Sequence, residues 1–271
     1  MNTIVDEVRI SSYASGMAHT TEYTRGTSGQ IVDIIAFMVF GVSLAVLLYR
    51  AIDGLINLGL TTGILIPLVS VPLSLLAADL LSGIVHYLAD NYGDENTPLV
   101  GKRFCKPFRE HHTNPKGITE RGFIEANANT CIITLPLVIL VTLLGPYEGL
   151  WSTFLAVFVA FVSVAVIMTN EFHKWAHLEN PPAIAKILQR WGIILTPDNH
   201  DVHHVAPYDT YYCVTTGWLN ALFDRLGILK VEVPGDHRDA EILHAATARE
   251  AREIILKKMK EQSQTQGSEP V

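Results

Sequence analysis

Histidines occur in this sequence at spacings that suit metal coordination. Three of them fall within five positions in the stretch TPDNHDVHHVAP, residues 196–207. Three charged imidazoles this close together would repel one another, and imidazole rings bury little apolar surface. Neutral imidazole, by contrast, is a good ligand for Zn, Cu, Fe and Ni. The cluster therefore indicates a metal site.

Other histidines are also grouped. His173 and His177, in EFHKWAH, are four residues apart, so a helix would present both on one face. His111 and His112 are adjacent in FREHH, and His86 follows a long apolar segment. Each group lies at or near the end of a predicted helix, which suggests that the helices bring the histidines to a common place.

A polar stripe accompanies His86. In DLLSGIVHYLAD, the residues Asp79, Ser82, His86 and Asp90 step by three, four and four, so they share one side of an otherwise apolar helix. An ionisable side chain within a membrane span is costly and commonly functional. The stripe is therefore expected to face the protein interior.

The composition is that of a membrane protein. The 271 residues have a mean hydropathy of +0.26, and 17% are charged, below the ~25% of soluble domains. The net charge of −7 disfavours a nucleic-acid partner, which would require a basic surface. Three widely spaced cysteines without a C-x-x-C motif predict neither a disulfide framework nor a thiolate zinc site.

Four apolar segments, at about 31–49, 60–85, 122–145 and 150–177, approach the ~20 helical residues that cross a bilayer. Short joins at 51–59 and 146–149 make two helical hairpins whose other ends share one side of the membrane. Only Arg50 of the 20 Lys and Arg residues borders the opposite side, so the shared side is predicted to be cytosolic. The predicted fold is an all-α, multi-pass bundle of four transmembrane helices with a cytosolic helical cap.

The remaining segments flank this bundle. Residues 1–30 are predicted to be a mobile tail, 31–230 the main domain, and 231–271 a C-terminal helix followed by a disordered tail. Segments 183–191 and 216–229 mix apolar and charged positions at helical spacing, which fits either the membrane surface or packing against the bundle.

Eight of the eleven histidines lie on the predicted cytosolic side, near helix ends. Eight imidazoles exceed the needs of one ion and suit two. The sequence has no H-E-x-x-H zinc-protease motif, and a 2-His-1-carboxylate iron site would use too few of them. Two iron ions held mainly by imidazole fit best. The eight residues are His86, His111, His112, His173, His177, His200, His203 and His204.

The motifs HYLAD, FREHH, HKWAH and HDVHH resemble the histidine boxes of integral-membrane fatty-acyl desaturases and hydroxylases. The stretches GKRFCKPFREHHTNPKGIT, FIEANANTC and HHVAPYDTYYCVTTGWLN, in this order, are similar to the plasmanylethanolamine desaturase family. The resemblance covers roughly residues 75–227. Asn199 and Tyr208 stand where animal members carry histidines.

The resemblance implies an O2-dependent di-iron desaturase, with the eight histidines as ligands and Asp90 as a ligand or as a group that orients one. The substrate would be an ether phospholipid whose sn-1 O-alkyl chain becomes a 1-alkenyl (vinyl ether) chain. No dinucleotide or c-type haem motif is present, so the electrons are expected from another protein. The resemblance implies that this protein is cytochrome b5 or a ferredoxin, fed by NAD(P)H. The membrane would be a bacterial inner membrane or the endoplasmic reticulum.

Two sets of residues are weaker candidates. Residues expected to support the metal ligands are Asp79, Glu125, Asn129, Asn170 and Asn199. Basic residues that either attract a lipid phosphate or reflect ordinary positive-inside charge are Lys102, Arg103, Lys106 and Arg109.

Three alternatives remain open from the sequence. Related histidine boxes occur in enzymes that desaturate an acyl chain of phosphatidylglycerol and in lipid hydroxylases. A metal-transporting membrane protein would distribute ligands across the bilayer, and a scaffold would not need the histidines at all.

Overall fold

The computed structural model describes residues 26–92, 95–98, 100–205 and 208–230. Every regular element in these ranges is helical. The four long helices are α1 (Thr27–Asn57), α2 (Leu60–Asn91), α5 (Phe123–Leu143) and α6 (Leu150–His177). The short ones are α3 (Lys106–Thr113), α4 (Gly117–Glu120), α7 (Ala183–Arg190), α8 (Pro197–His203) and α9 (Asn220–Leu226), and a π-helical turn, Gly101–Cys105, precedes α3.

The prediction of an all-α chain with four helices that could cross a membrane is confirmed for the described residues. All four long helices are long and apolar enough to cross a bilayer. Large apolar side chains such as Met38, Leu68 and Leu140 are more than half exposed along them, as expected for surfaces that face lipid tails. The predicted C-terminal helix and most of the predicted N-terminal tail lie outside the described residues.

The first hairpin join is shorter than predicted. Residues 51–59 are predicted to join the first two spans, but α1 continues to Asn57 and only two residues separate it from α2. Ala51 and Gly54 are buried in this last stretch of α1. Gly54 packs directly against Tyr147, so tertiary packing outweighs the weak local helix propensity.

Gly54→Ala is expected to destabilise the protein by about 1–2 kcal/mol. An added Cβ would lie 2.7 Å from the Tyr147 carbonyl oxygen and 2.9 Å from Thr153 Oγ1. Overpacking of this kind costs ~1–3 kcal/mol, which exceeds the ~1 kcal/mol that alanine contributes over glycine in a helix. Thermal unfolding in detergent measures the change. In the same helix, Gly41 has no atom within 4 Å of such a Cβ, so Gly41→Ala is the control and should not destabilise.

The bundle is built on two extensive helix pairs, α1 with α5 and α2 with α6. Phe40 and Leu47 of α1 meet Val138 of α5 and Ala160 of α6 in the main apolar core. Between α2 and α6 the side chains are small, with Ala78 fully buried. Small residues let two helix backbones approach closely within a membrane. The C-terminal ends of α2 and α6, where histidines occur, are thereby held on the same side of the bundle.

The short helices lie beyond the end of the bundle at which α2 and α6 finish. Residues 178–182 lead from α6 to α7, residues 191–196 lead to α8, and an irregular segment, Asp209–Leu219, precedes α9. We call residues 209–219 the strap. The segments predicted at 183–191 and 216–229 are thus only partly helical, since the second begins within the strap.

Candidate metal centre

The functional candidates converge at one end of the bundle. His86 and Asp90 lie in the last turns of α2, and His173 and His177 lie in the last turns of α6. The short helices α3 and α8 supply the other histidines. All nine side chains predicted as metal-site residues are brought together, in two separate groups.

Five imidazoles form the first group, which we call the five-histidine group. Six distances between their Nε2 atoms are 2.8–3.1 Å. Each of these distances joins one of two central members to one of the other three. The central members are His111 and His200; the others are His173, His177 and His204.

Hydrogen bonds among the imidazoles cannot account for this convergence. A neutral imidazole carries either one N–H or one lone pair at Nε2, so each Nε2 can take part in one well-formed hydrogen bond. His111 Nε2 has three imidazole nitrogens within 3.1 Å, and so does His200 Nε2. In most of the six short contacts, two Nε2 lone pairs would therefore face each other with no proton between them. A cation between the nitrogens resolves the conflict.

The arrangement of the rings fits a metal ion. The planes of His111 and His200 are within 18° of parallel, with ring centroids 5.9 Å apart. Each of these two rings lies 4.4–4.8 Å from the other three, which are arranged between them. A metal ~2.1 Å from every nitrogen would place donors at right angles about 3.0 Å apart, which matches the observed spacing.

The second group, the aspartate group, combines a carboxylate with three imidazoles. Asp90 Oδ2 lies 3.3 Å from His86 Nε2, 3.1 Å from His112 Nε2 and 3.4 Å from His203 Nε2. All four atoms are buried, and none has a well-formed hydrogen bond within the described residues. Buried polar atoms are rarely left in this state without a ligand. The donor set of one carboxylate oxygen and three nitrogens is also typical of a metal site.

The two groups lie next to each other because, in two pairs of histidines adjacent in the sequence, one member belongs to each group. His111 belongs to the five-histidine group and His112 to the aspartate group, and His204 and His203 divide in the same way. Ring centroids are 6.3 Å apart for the first pair and 5.7 Å for the second. The i, i+3, i+4 spacing of His200, His203 and His204 predicts that a helix would present all three on one face, whereas the structure directs His203 to the other group.

Burial favours the neutral form of three imidazoles of the five-histidine group. Removal from water lowers the pKa of His111, His200 and His204, and the neighbouring histidines lower each pKa further. These three rings therefore favour the uncharged form, in which imidazole binds metals.

Two backbone carbonyls hold imidazoles of the aspartate group, and sequence reasoning missed both. His86 Nδ1–H donates to the Tyr212 carbonyl oxygen at 3.1 Å, and His203 Nδ1–H donates to the Thr210 carbonyl oxygen at 2.7 Å. These bonds direct the lone pair of each Nε2 toward Asp90. Both carbonyls belong to the strap, which lacks any periodic pattern that could have revealed them.

The weaker candidates contact backbone or other amides. Asp79 accepts hydrogen bonds from backbone N–H groups of the strap. The Asn129 amide donates to the Arg103 carbonyl oxygen, and the Asn170 amide donates to the Ala126 carbonyl oxygen. Asn199 Oδ1 accepts from the Asn220 side-chain amide, and Glu125 is not a member of either histidine group.

Two of the four basic loop residues are engaged in ion pairs. Arg103 pairs with the buried Asp33 of α1 at 2.8 Å. Lys106 lies 3.6 Å from both Glu95 and Glu110. Arg103 therefore ties the loop to α1, which favours a structural role over the attraction of a phosphate.

Comparison with known proteins gives consistent matches. The family described as the lipid desaturase domain matches residues 75–232. A plasmanylethanolamine desaturase from Myxococcus xanthus is 46% identical over 151 residues, 56% of this chain and 53% of that protein. Plasmanylethanolamine desaturase 1 from Mus musculus is 42% identical over 163 residues, 56% of this chain and 58% of that protein.

A more distant match is fatty acid desaturase 4, chloroplastic, from Arabidopsis thaliana, at 34% identity over 148 residues, 54% of this chain and 44% of that protein. The chain thus spans about half the length of the curated relatives that it matches. No solved structure shows significant similarity to it.

Proposed function

The chain belongs to the lipid desaturase domain family, and on that premise we propose that it is a di-iron desaturase that converts the sn-1 O-alkyl chain of an ether phospholipid into a vinyl ether. The observation that carries the proposal is the pair of adjoining donor groups, which provide eight imidazoles and one carboxylate at one end of a membrane bundle. Relatives named plasmanylethanolamine desaturase, at 46% and 42% identity, support the substrate class.

One iron would be held by each group. The five-histidine group offers five Nε2 atoms, and the aspartate group offers three Nε2 atoms and an Asp90 oxygen. When bound, the iron pair supplies the oxidising chemistry: O2 takes two hydrogens from C1 and C2 of the alkyl chain, with two electrons from a donor and two protons from solvent, and leaves as two waters. Imidazole ligation is compatible with iron in this role.

The protein's own contribution is orientation and exclusion of water. The strap carbonyls fix the ring orientation of His86 and His203, and both rings are fully buried. Ring contacts from Phe108 and Tyr212 close the aspartate group on two sides. Because these ligand atoms are held in fixed positions away from water, little rearrangement of the surrounding polar groups is needed during the reaction.

The location of the centre suits the proposed substrate. The C1–C2 bond of an sn-1 O-alkyl chain lies just below the glycerol backbone, near the membrane interface. His86 and His177 lie in the last turns of helices long and apolar enough to cross a bilayer, which supports a centre near that depth. A metal-transport pathway would instead need ligands distributed along the bundle, which disfavours that alternative.

The side of the membrane follows from charge. Arg50, at the far end of α1, donates to the Thr142 carbonyl oxygen near the end of α5. The other Lys and Arg residues lie on the side of the metal centre or in the terminal segments predicted to share it, so this side is proposed to be cytosolic. The short helices α3, α4, α7, α8 and α9 then form the cytosolic cap, where cytochrome b5 or a ferredoxin would deliver electrons.

Lipid analysis tests the proposed reaction. The chain is expressed in a host that lacks vinyl-ether lipids but has a competent electron donor, and a 1-O-alkyl phospholipid is supplied. The expected product is lighter by two hydrogens and releases an aldehyde in mild acid. His203→Ala should abolish it. His244→Ala is the matched control, because His244 is not among the eight histidines proposed as ligands.

Other products would select the alternatives. Loss of two hydrogens without acid lability would favour an acyl-lipid desaturase, the activity suggested by the name of the chloroplast relative. Gain of one oxygen atom would indicate a hydroxylase. An unchanged lipid, with iron bound and a donor present, would refute the proposed substrate.

A further inference from the structure

The strap is an irregular segment in the protein interior. Residues 209–217 are all buried, although none of them is helical. Tyr211 has a φ of 59°, a conformation that non-glycine residues rarely adopt without outside support. A buried irregular backbone must also find partners for its N–H and C=O groups. The strap's shape is therefore set by the side chains that supply those partners.

Asp79 supplies the largest share of them. Its Oδ1 accepts from the backbone N–H of Thr216 at 2.7 Å and of Gly217 at 2.9 Å, and its Oδ2 accepts from the N–H of Leu219 at 3.1 Å. The carboxylate is fully buried. Three hydrogen bonds to one buried charge are strong, and they fix the strap relative to α2.

The contacts between the strap and α2 continue along the helix beyond Asp79. One turn beyond Asp79, Ser82 Oγ accepts from the Val214 N–H at 3.1 Å. A Cβ on Gly83 would lie 2.6 Å from Cys213 Sγ, so the two segments are in close contact at this point. A further turn along, His86 donates to the Tyr212 carbonyl oxygen. The strap therefore runs antiparallel to α2, from the metal centre back to Asp79.

We infer that Asp79 is a positioning residue for the metal in the aspartate group, an inference that rests on the proposed two-metal function. Asp79 does not touch that group. It holds the strap in the register that places the Tyr212 and Thr210 carbonyls against His86 and His203. Among the described residues, the imidazoles that donate to strap carbonyls belong to the aspartate group, so the five-histidine group should be insensitive to this register.

Metal titration of the full chain in detergent tests the inference, with Co2+ as the probe because its visible absorption reports its coordination. The wild-type protein should bind two Co2+ ions. Asp79→Asn keeps the shape of the side chain but places an NH2 or an uncharged oxygen where Leu219 N–H needs a charged acceptor. It should weaken one site by about 10–100-fold, the usual effect of losing support for a metal ligand, and leave the other unchanged.

A matched variant distinguishes the loss of the strap's register from the loss of a buried charge. Asp33 is also a buried carboxylate in a membrane helix, but it pairs with Arg103 rather than with the strap. Asp33→Asn should leave both Co2+ sites at their wild-type affinity. If Asp79→Asn also binds both ions with wild-type affinity, or if it weakens both sites equally, the inference is overturned.

A steric test reaches the same register without changing a charge. Gly83→Ala should displace the strap and weaken the same Co2+ site, because its Cβ would overlap Cys213 Sγ. Adding Cys213→Ala removes that sulfur and should restore the affinity. Failure of the double variant to recover, with wild-type thermal stability, would also overturn the inference. Fewer than two Co2+ ions in the wild-type protein would refute the two-metal proposal itself, and the inference with it.

Discussion

Replacing either histidine of the adjacent pair His111 and His112 is expected to reduce desaturation by more than about 100-fold, since even groups that only support metal ligands cost ~10–100-fold when removed. The reason differs between the two variants. His111 Nε2 lies within 3.1 Å of three imidazoles of the five-histidine group, whereas His112 Nε2 lies 3.1 Å from Asp90 Oδ2. Under the proposed two-metal function, these two neighbouring residues would serve different metals.

Metal analysis and spectroscopy distinguish the two losses. His111→Ala leaves four imidazoles in its group, which still exceed the three protein ligands that suffice for many sites. This variant should keep both metals, with a changed spectrum for one of them. His112→Ala leaves two imidazoles and Asp90 and should lose metal more readily. Identical spectra and metal contents in the two inactive variants would contradict the division into two groups, and retained activity in either would contradict the assignment of that residue.

The division itself could not be read from the sequence. Helical spacing grouped His173 with His177, and both indeed belong to the five-histidine group. At the end of α8, however, His204 joins His200 in the five-histidine group whereas His203 joins the aspartate group. Which group each of these histidines enters depends on how the short helix packs against the bundle. The position of α8 is set by tertiary contacts such as the hydrogen bond that the Asn220 side-chain amide donates to Asn199 Oδ1.

The long helices were easier to predict than the segments between them. Apolar length alone identified four spans, because a bilayer imposes a strict minimum on helix length. The strap could not be predicted from the sequence, since its backbone is held by hydrogen bonds to Asp79, Ser82 and Asn220 and its residues follow no repeating pattern. Asp79 was recognised as unusual from its place in an apolar helix, but its partners lie about 140 positions away in the chain.

Asp90→Asn should affect the aspartate group most directly. The carboxylate is the only charged donor among the described members of the two groups, and its Oδ2 faces three Nε2 atoms at 3.1–3.4 Å. Asparagine keeps the volume but removes the charge, and its amide can direct an N–H toward the same nitrogens. We expect at least a ~100-fold loss of metal affinity in this group, with desaturation reduced to background.

The controls for Asp90→Asn use the same chemical change elsewhere. Asp53→Asn alters an exposed carboxylate at the opposite end of the bundle and should leave metal content and activity unchanged. Metal content is measured on purified protein, and activity by release of aldehyde from the lipid product. If Asp90→Asn retained both metals but lost activity, the carboxylate would act on the reaction rather than on binding. If it retained both metals and activity, Asp90 would be neither a ligand nor a group that orients one, and three imidazoles alone would hold the metal.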